Sequence, residues 1–144
     1  MTEDSLTAVS DKDTTSIVAE ETKIHVSKSM TIQTEEFETF FDIFSTDSLF
    51  QKSKIRFPFP EIFYDIEDNQ TIDSLKPSDW TFLDLKYDST AYYRQIDAYE
   101  QIFEISSDKA KVGFRGIDNG IYFDYIFERL DSTWQLVKYV DYSN

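Results

Sequence analysis

Four phenylalanines, Phe37, Phe40, Phe41 and Phe44, fall at i, i+3, i+4 and i+7. No other feature restricts the fold so tightly, because that spacing is one face of an α-helix and the wrong period for a strand. Thr34 stands where a helix cap belongs, and Glu35 and Glu36 place carboxylates in the first turn, against the positive end of the helix dipole. Each buried Phe contributes about 2 kcal/mol of transfer free energy, so this helix must lie on a sheet or on a second helix. Ser45 to Asp47 ends it, and Asp47 or Ser48 can cap a short second helix carrying Leu49 and Phe50.

The segment KIRFPFP (54–60) follows. Ile55, Phe57 and Phe59 alternate with Arg56, Pro58 and Pro60, so it is extended. Two prolines remove two backbone donors, which argues against a central strand and for a sheet edge or a crossover lying against the aromatic helix. EIFYDI (61–66) reads as a strand, EDNQ as a polar turn, and TIDSL as a segment able to pair back. KPSDW (76–80) is a break, and WTFLDL is apolar again. YYRQIDAYEQIFEI (92–105) fits a helix through Tyr92, Ile96, Tyr99 and Phe103. It also fits a strand through Tyr93, Gln95, Asp97, Tyr99, Gln101 and Phe103. Aromatic and β-branched residues favour the strand in its second half.

The last third is a meander. Ala110, Val112 and Phe114 alternate to one side, and Asp118-Asn119-Gly120 is a strong hairpin signal. Ile121, Phe123, Tyr125 and Phe127 then share one face. A turn at Asp131 to Thr133 leads to a strand with Trp134, Leu136 and Val140 aligned. Helices followed by three or four antiparallel strands give an α+β domain, with helices covering one face of a curved sheet. Residues 1–30, polar and without aromatics, read as a tail with at most an edge strand at Ile24, Val26 and Met30. Residues 31–144 read as a single domain.

Composition closes off several functions. The formal charge is -14, a surface that repels phosphate backbones, so no nucleic-acid partner is expected. There is no cysteine, which removes disulfides, thiolate metal sites and thiol nucleophiles. No apolar run reaches the length of a membrane span, and the N-terminus reads without a signal peptide. His25 is the only histidine and lies in the tail, so neither a Ser-His-Asp triad nor a histidine metal site is tenable. Asp65, Glu67, Asn69, Thr71 and Asp73 have the spacing of a calcium loop. Its sixth position is Gln70 and its twelfth Lys76, so an acidic hairpin tip is the better reading.

The run Asp47-Ser48, Phe50-Gln51, Lys54-Ile55-Arg56 and Phe57-Pro58-Phe59-Pro60, behind an aromatic helix, resembles the signature of an uncharacterised bacterial domain-of-unknown-function family. Asp79-Trp80, Tyr125 to Arg129 and Trp134 to Val137 extend the resemblance over about residues 35 to 142. Phe59 stands where leucine is usual, and the last turn lacks the expected glycine. The resemblance implies a cone-like fold similar to nuclear transport factor two. It also implies export, commonly as a lipoprotein, and hence an extracytoplasmic place. Membrane attachment would then run only through a lipid anchor absent from this chain, with the leading Met standing where an export segment was removed.

No catalytic set, metal site or cofactor is expected, and only three glycines exist to build a phosphate loop. Candidate ligand-binding residues are Arg56, Trp80, Tyr93, Asp97, Tyr99 and Tyr125. Arg56 suits an anion, or simply a local acid. Tyr87, Tyr92, Tyr93, Tyr99, Tyr122, Tyr125 and Trp80 suit the wall of a cavity for a sugar or flat ligand, or plain core packing. Asp97 and Asp124 lie within aromatic strands, although alternation points Asp124 to solvent. The expectation is a binding or accessory domain for a small ligand or protein. The alternatives are a lyase- or isomerase-type pocket using a buried Asp97 with tyrosine donors, and a homodimer module pairing through the sheet face.

Overall fold

The computed structural model describes residues 36–144. The tail, His25, the weak alternation at Ile24, Val26 and Met30, and the cap at Thr34 and Glu35 lie outside the described residues. Within them, residues 36–44 are helical (α1), and Phe37, Phe40, Phe41 and Phe44 are all buried, as their spacing requires. Their rings close on a single partner, Phe127, at centroid distances of 5.3, 5.9, 6.2 and 5.3 Å, each edge to face. Such pairs add about 0.5–1.5 kcal/mol each beyond area burial.

A second helix, α2 (Ser48–Ser53), is capped by Asp47, whose Oδ1 accepts from the Leu49 and Phe50 amides. Leu49 faces solvent, and the fully buried residue of α2 is Gln51. The Gln51 side-chain amide is saturated. Nε2 donates to the Phe44 carbonyl at 2.9 Å and the Leu83 carbonyl at 2.7 Å. Oε1 accepts from Trp80 Nε1 at 3.0 Å and the Leu83 amide at 2.9 Å.

Six strands form one curved, unclosed sheet: β1 (Phe59–Tyr64), β2 (Gln70–Leu75), β3 (Tyr99–Ile105), β4 (Lys109–Gly116), β5 (Tyr122–Leu130) and β6 (Thr133–Asp141). Their order is β2-β1-β6-β5-β4-β3. Every pairing is antiparallel except β1 with β6. The expected α+β class and the C-terminal meander are both present. Among the described residues, no helix is long and apolar enough to cross a membrane.

Two details depart from the sequence-based expectation. First, β1 is an inner strand despite Pro60. The chain pairs with β6 twice, at the Ile55–Leu136 bridge and again from Glu61 opposite Tyr139. Pro58 and Pro60 fall between those two pairings with β6, Pro60 opposite Ser74 of β2, and the Phe57–Pro58 peptide is cis. Second, β6 is irregular. Phe127 faces Leu136 while Ile126 faces Lys138, which leaves Val137 as an extra residue. A bulge of this kind reverses the side-chain alternation beyond it. Trp134 and Leu136 therefore point into the core beside Phe127, but the inward residues beyond the bulge are Tyr139 and Asp141, not Val140.

The connection from β2 to β3 runs from one sheet edge to the other across the helix-bearing face. It holds two short 3-10 turns, Pro77–Asp79 and Ser89–Tyr93. Connections this long with so little regular structure are uncommon in compact domains. Leu85 anchors it in the core, and Gln101 Nε2 donates to the Leu85 carbonyl at 2.9 Å.

Replacing Gln51 by leucine keeps the volume but strands the Phe44 and Leu83 carbonyls, the Leu83 amide and the Trp80 indole. Each buried unmet group costs about 1–3 kcal/mol. Urea unfolding of Gln51→Leu should show a loss of about 3 kcal/mol or more with an unchanged slope, whereas Leu49→Ala, exposed on the same helix, should stay within about 0.5 kcal/mol of wild type.

Candidate functional site

The helices cover one end of the concave face of the sheet and leave the other end open. There the sheet and the β2–β3 connection enclose a cavity of about 470 Å³. Tyr99 of β3, Phe114 of β4, Phe123 and Tyr125 of β5 and Tyr139 of β6 supply aromatic walls. Leu83, Asp84, Leu85, Arg94 and Asp97 come from the connection, and Ile121, Asp141 and Ser143 complete the lining. The strand residues converge because they sit side by side in register: Phe114 opposite Phe123, Tyr125 opposite Tyr139, Phe123 opposite Asp141. Their rings pack on one another, Phe114 on Phe123 at 4.8 Å and Tyr125 on Tyr139 at 4.9 Å.

The polar end of the cavity is a phenol–carboxylate group. Tyr139 Oη donates to Asp141 Oδ2 at 2.7 Å, and the Ser143 amide donates to Asp141 Oδ1 at 2.7 Å. Glu61 of β1 lies opposite Tyr139 on one side and Asp73 of β2 on the other. Burial, then the nearby charges of Glu61 and Asp141, push the Tyr125 phenol above its ordinary range. Burial pushes Tyr139 up as well, helped by its hydrogen bond to Asp141 and by the Asp141 charge. Partial burial, then the Asp73 charge, raises Glu61. Negative charge therefore accumulates beside two tyrosines that stay protonated across the physiological range. Among the described residues, none of Glu61, Asp73 and Asp141 has a cationic partner.

Of the six residues singled out in the sequence, three meet at this cavity: Asp97, Tyr99 and Tyr125. Asp97 is not the buried carboxylate expected of a catalytic base. It precedes β3, is exposed, and has a left-handed φ of 57°. The other three are elsewhere. Tyr93 is 83% exposed on a 3-10 turn, stacked edge-on against Tyr92. Trp80 belongs to the core, packed on Phe57 and Phe59 and tied to Gln51. Arg56 is half exposed and pairs with Glu128 at 3.5 Å, the local acid of its plainer reading.

Asp124 also differs from expectation. Alternation sets it on the outer face, yet it is buried, 2.8 Å from Arg115 Nη1. Gly113, directly opposite on β4, makes the space: a Cβ there would meet Asp124 Oδ1 at 2.7 Å and Arg115 Nη1 at 2.9 Å. Arg115 in turn covers the Tyr122 ring at 3.8 Å. Sequence reasoning missed Tyr139, Asp141, Phe114, Phe123 and Arg94 as cavity residues. The bulge hid the first two, but Phe114 and Phe123 stood on the expected inward faces. The DIEDNQ tip is a self-capped turn, with Asp65 accepting from the Glu67 and Asn69 amides. Among the described residues, no three potential metal ligands gather.

A model of the family described as a domain of unknown function (DUF4348) matches residues 15–141. No protein of curated function matches. Solved structures described as NTF2-like are similar. One from Bacteroides fragilis is 25% identical, aligned over 73% of this chain and 46% of that one with a TM-score of 0.49. The chain thus spans less than half of that protein. One of unknown function from Shewanella baltica is 9% identical over 77% and 95% of the two chains, at 0.41. One from Cytophaga hutchinsonii is 11% identical over 79% and 97%, at 0.36.

Gly113→Ala should lose about 1–3 kcal/mol in chemical unfolding, because the new methyl displaces the buried ion pair. Glu61 gives a pH-dependent prediction. A carboxyl whose pKa rises on folding favours the fold when protonated and opposes it when ionised, so its cost appears as pH climbs through the carboxylate range and persists at neutrality. Glu61→Gln should therefore melt above the wild type at pH 7. The difference should vanish at about pH 3.5, where both side chains are neutral.

Proposed function

We propose a function on the premise that this chain belongs to the DUF4348 family of domains of unknown function. Its role is to bind a small organic ligand in the concave cavity, as a binding or accessory domain and not as a catalyst. The observation that carries this reading is the lining itself: five aromatic rings around about 470 Å³, with a hydrogen-bonded phenol and carboxylate at one end. A pocket of that size with apolar walls and a few fixed polar groups is the usual form of a small-molecule site. The working position we propose is extracytoplasmic, on the resemblance to exported, lipid-anchored family members.

A catalytic reading needs a buried carboxylate free to move a proton. Asp97 is exposed, and Asp124 is held by Arg115 on the opposite face of the sheet. Asp141 is already fixed by two donors. Orientation of a ligand, more than proton transfer, is what such groups provide.

The test is a thermal-shift and NMR screen of small aromatic, sugar-like and amine compounds. Hits should perturb Tyr125 and Tyr139 and lose binding in Ile121→Trp, which narrows the cavity from its rim. Tyr64→Ala, on the other face, should bind as the wild type does. Hits that ignore Ile121→Trp, or that map to the outer face, overturn the reading.

A further inference from the structure

The cavity has a charge as well as a shape, and resting on the binding function above, we infer that its occupant is an organic cation: an amine or quaternary ammonium carried on an apolar body. Three carboxylates, those of Asp84, Asp97 and Asp141, line the cavity against one cation, Arg94. That cation is engaged. Arg94 Nη2 is 2.9 Å from Asp88 Oδ2, and its guanidinium lies 5.6 Å from the centre of the Tyr99 ring. Glu61 lies opposite Tyr139 on β1, with Asp73 opposite it on β2, and both add negative charge on that side.

The aromatic walls answer the same ligand. Tyr125 and Tyr139 present electron-rich ring surfaces, and a cation within about 6 Å of such a ring is attracted to it, most strongly when desolvated. A carboxylate at one end with tyrosine walls around it is complementary to a positive charge on a greasy molecule. The same arrangement rejects anions and gives a neutral sugar no use for the charge. The outer face of the same sheet shows the contrast. There Asp124 is paired internally with Arg115, whereas Asp141 receives only neutral donors from Tyr139 and Ser143. The acids are too dispersed to gather a metal ion: no three potential ligands come together among the described residues.

The experiment compares three probes of one shape by titration calorimetry and NMR: benzyltrimethylammonium, benzyl alcohol and benzoate. The cation should bind at least about tenfold more tightly than the alcohol, and benzoate should not bind. Asp141→Asn should weaken the cation by about tenfold and leave the alcohol unchanged, and rising salt should weaken only the cation. If Asp141→Asn fails to fold by circular dichroism, the exposed rim pair Asp84→Asn with Asp97→Asn replaces it and should weaken the cation in the same selective way. Equal binding of cation and alcohol, both lost in Ile121→Trp, overturns the charge inference while the cavity function stands. No binding of any probe, together with no hit in the wider screen, overturns both.

Discussion

The closure of four helical phenylalanines on Phe127 is the contact from which the rest of the domain is arranged. It pins α1 to the middle of β5 and fixes which end of the sheet is core and which end is open. Phe127, Leu136 and Trp134 belong to the covered end, where Phe37 also meets Trp134 at 5.0 Å. Phe123, Tyr125 and Tyr139 lie further along the same strands, contact one another instead of the helix, and line the cavity. One strand thus serves both purposes: its C-terminal half is core and its N-terminal half is wall.

The second constraint is the Gln51 amide. A long connection whose regular structure is two 3-10 turns gains little from its own backbone, and its path across the sheet must be fixed from outside. Gln51 does so at Leu83 and Trp80, and Gln101 repeats the device at Leu85. The two glutamines thereby hold two residues of the cavity lining itself, Leu83 and Leu85. A buried polar group with every valence met specifies one arrangement more sharply than an apolar side chain of equal size. The cavity therefore has a fixed floor from the sheet and a fixed side from the connection.

The sequence made the periodic parts legible. The Phe37 to Phe44 stripe, the caps at Asp47, the hairpin at Asp118 to Gly120 and the inward faces of β4 and β5 follow from spacing and turn chemistry alone. The hairpin is built as Asn119 dictates: its Oδ1 accepts from the Ile121 amide, and its Nδ2 reaches the Ala98 carbonyl. What stayed hidden depends on pairing between distant residues. Val137 is an ordinary valine in an alternating strand, and only its mismatch with the Ile126–Phe127 step makes it a bulge. That step turns Tyr139 and Asp141 inward. Asp124 was set toward solvent by its parity, and nothing local announces that Gly113, eleven residues earlier, makes room to bury it beside Arg115. Tyr93 and Asp97 looked like strand residues because the aromatic run begins early, yet β3 starts only at Tyr99.

The two carboxylates that face opposite sides of the sheet argue about purpose. A core chosen for stability alone would place aliphatic groups at Tyr139 and Asp141, because a partly buried polar group gains nothing over an apolar one in a packed core. On the outer face the protein resolves the same difficulty at Asp124 by supplying Arg115 and a glycine to seat it. Within the described residues it supplies no such partner at Asp141, although Arg94 lines the same cavity and turns instead to Asp88. Asp141 is held instead by the neutral donors Tyr139 and Ser143, which orient the carboxylate without neutralising it. Tyr139 and Asp141 line the cavity from one strand, with Glu61 opposite Tyr139, and this is the arrangement on which the proposed binding function rests.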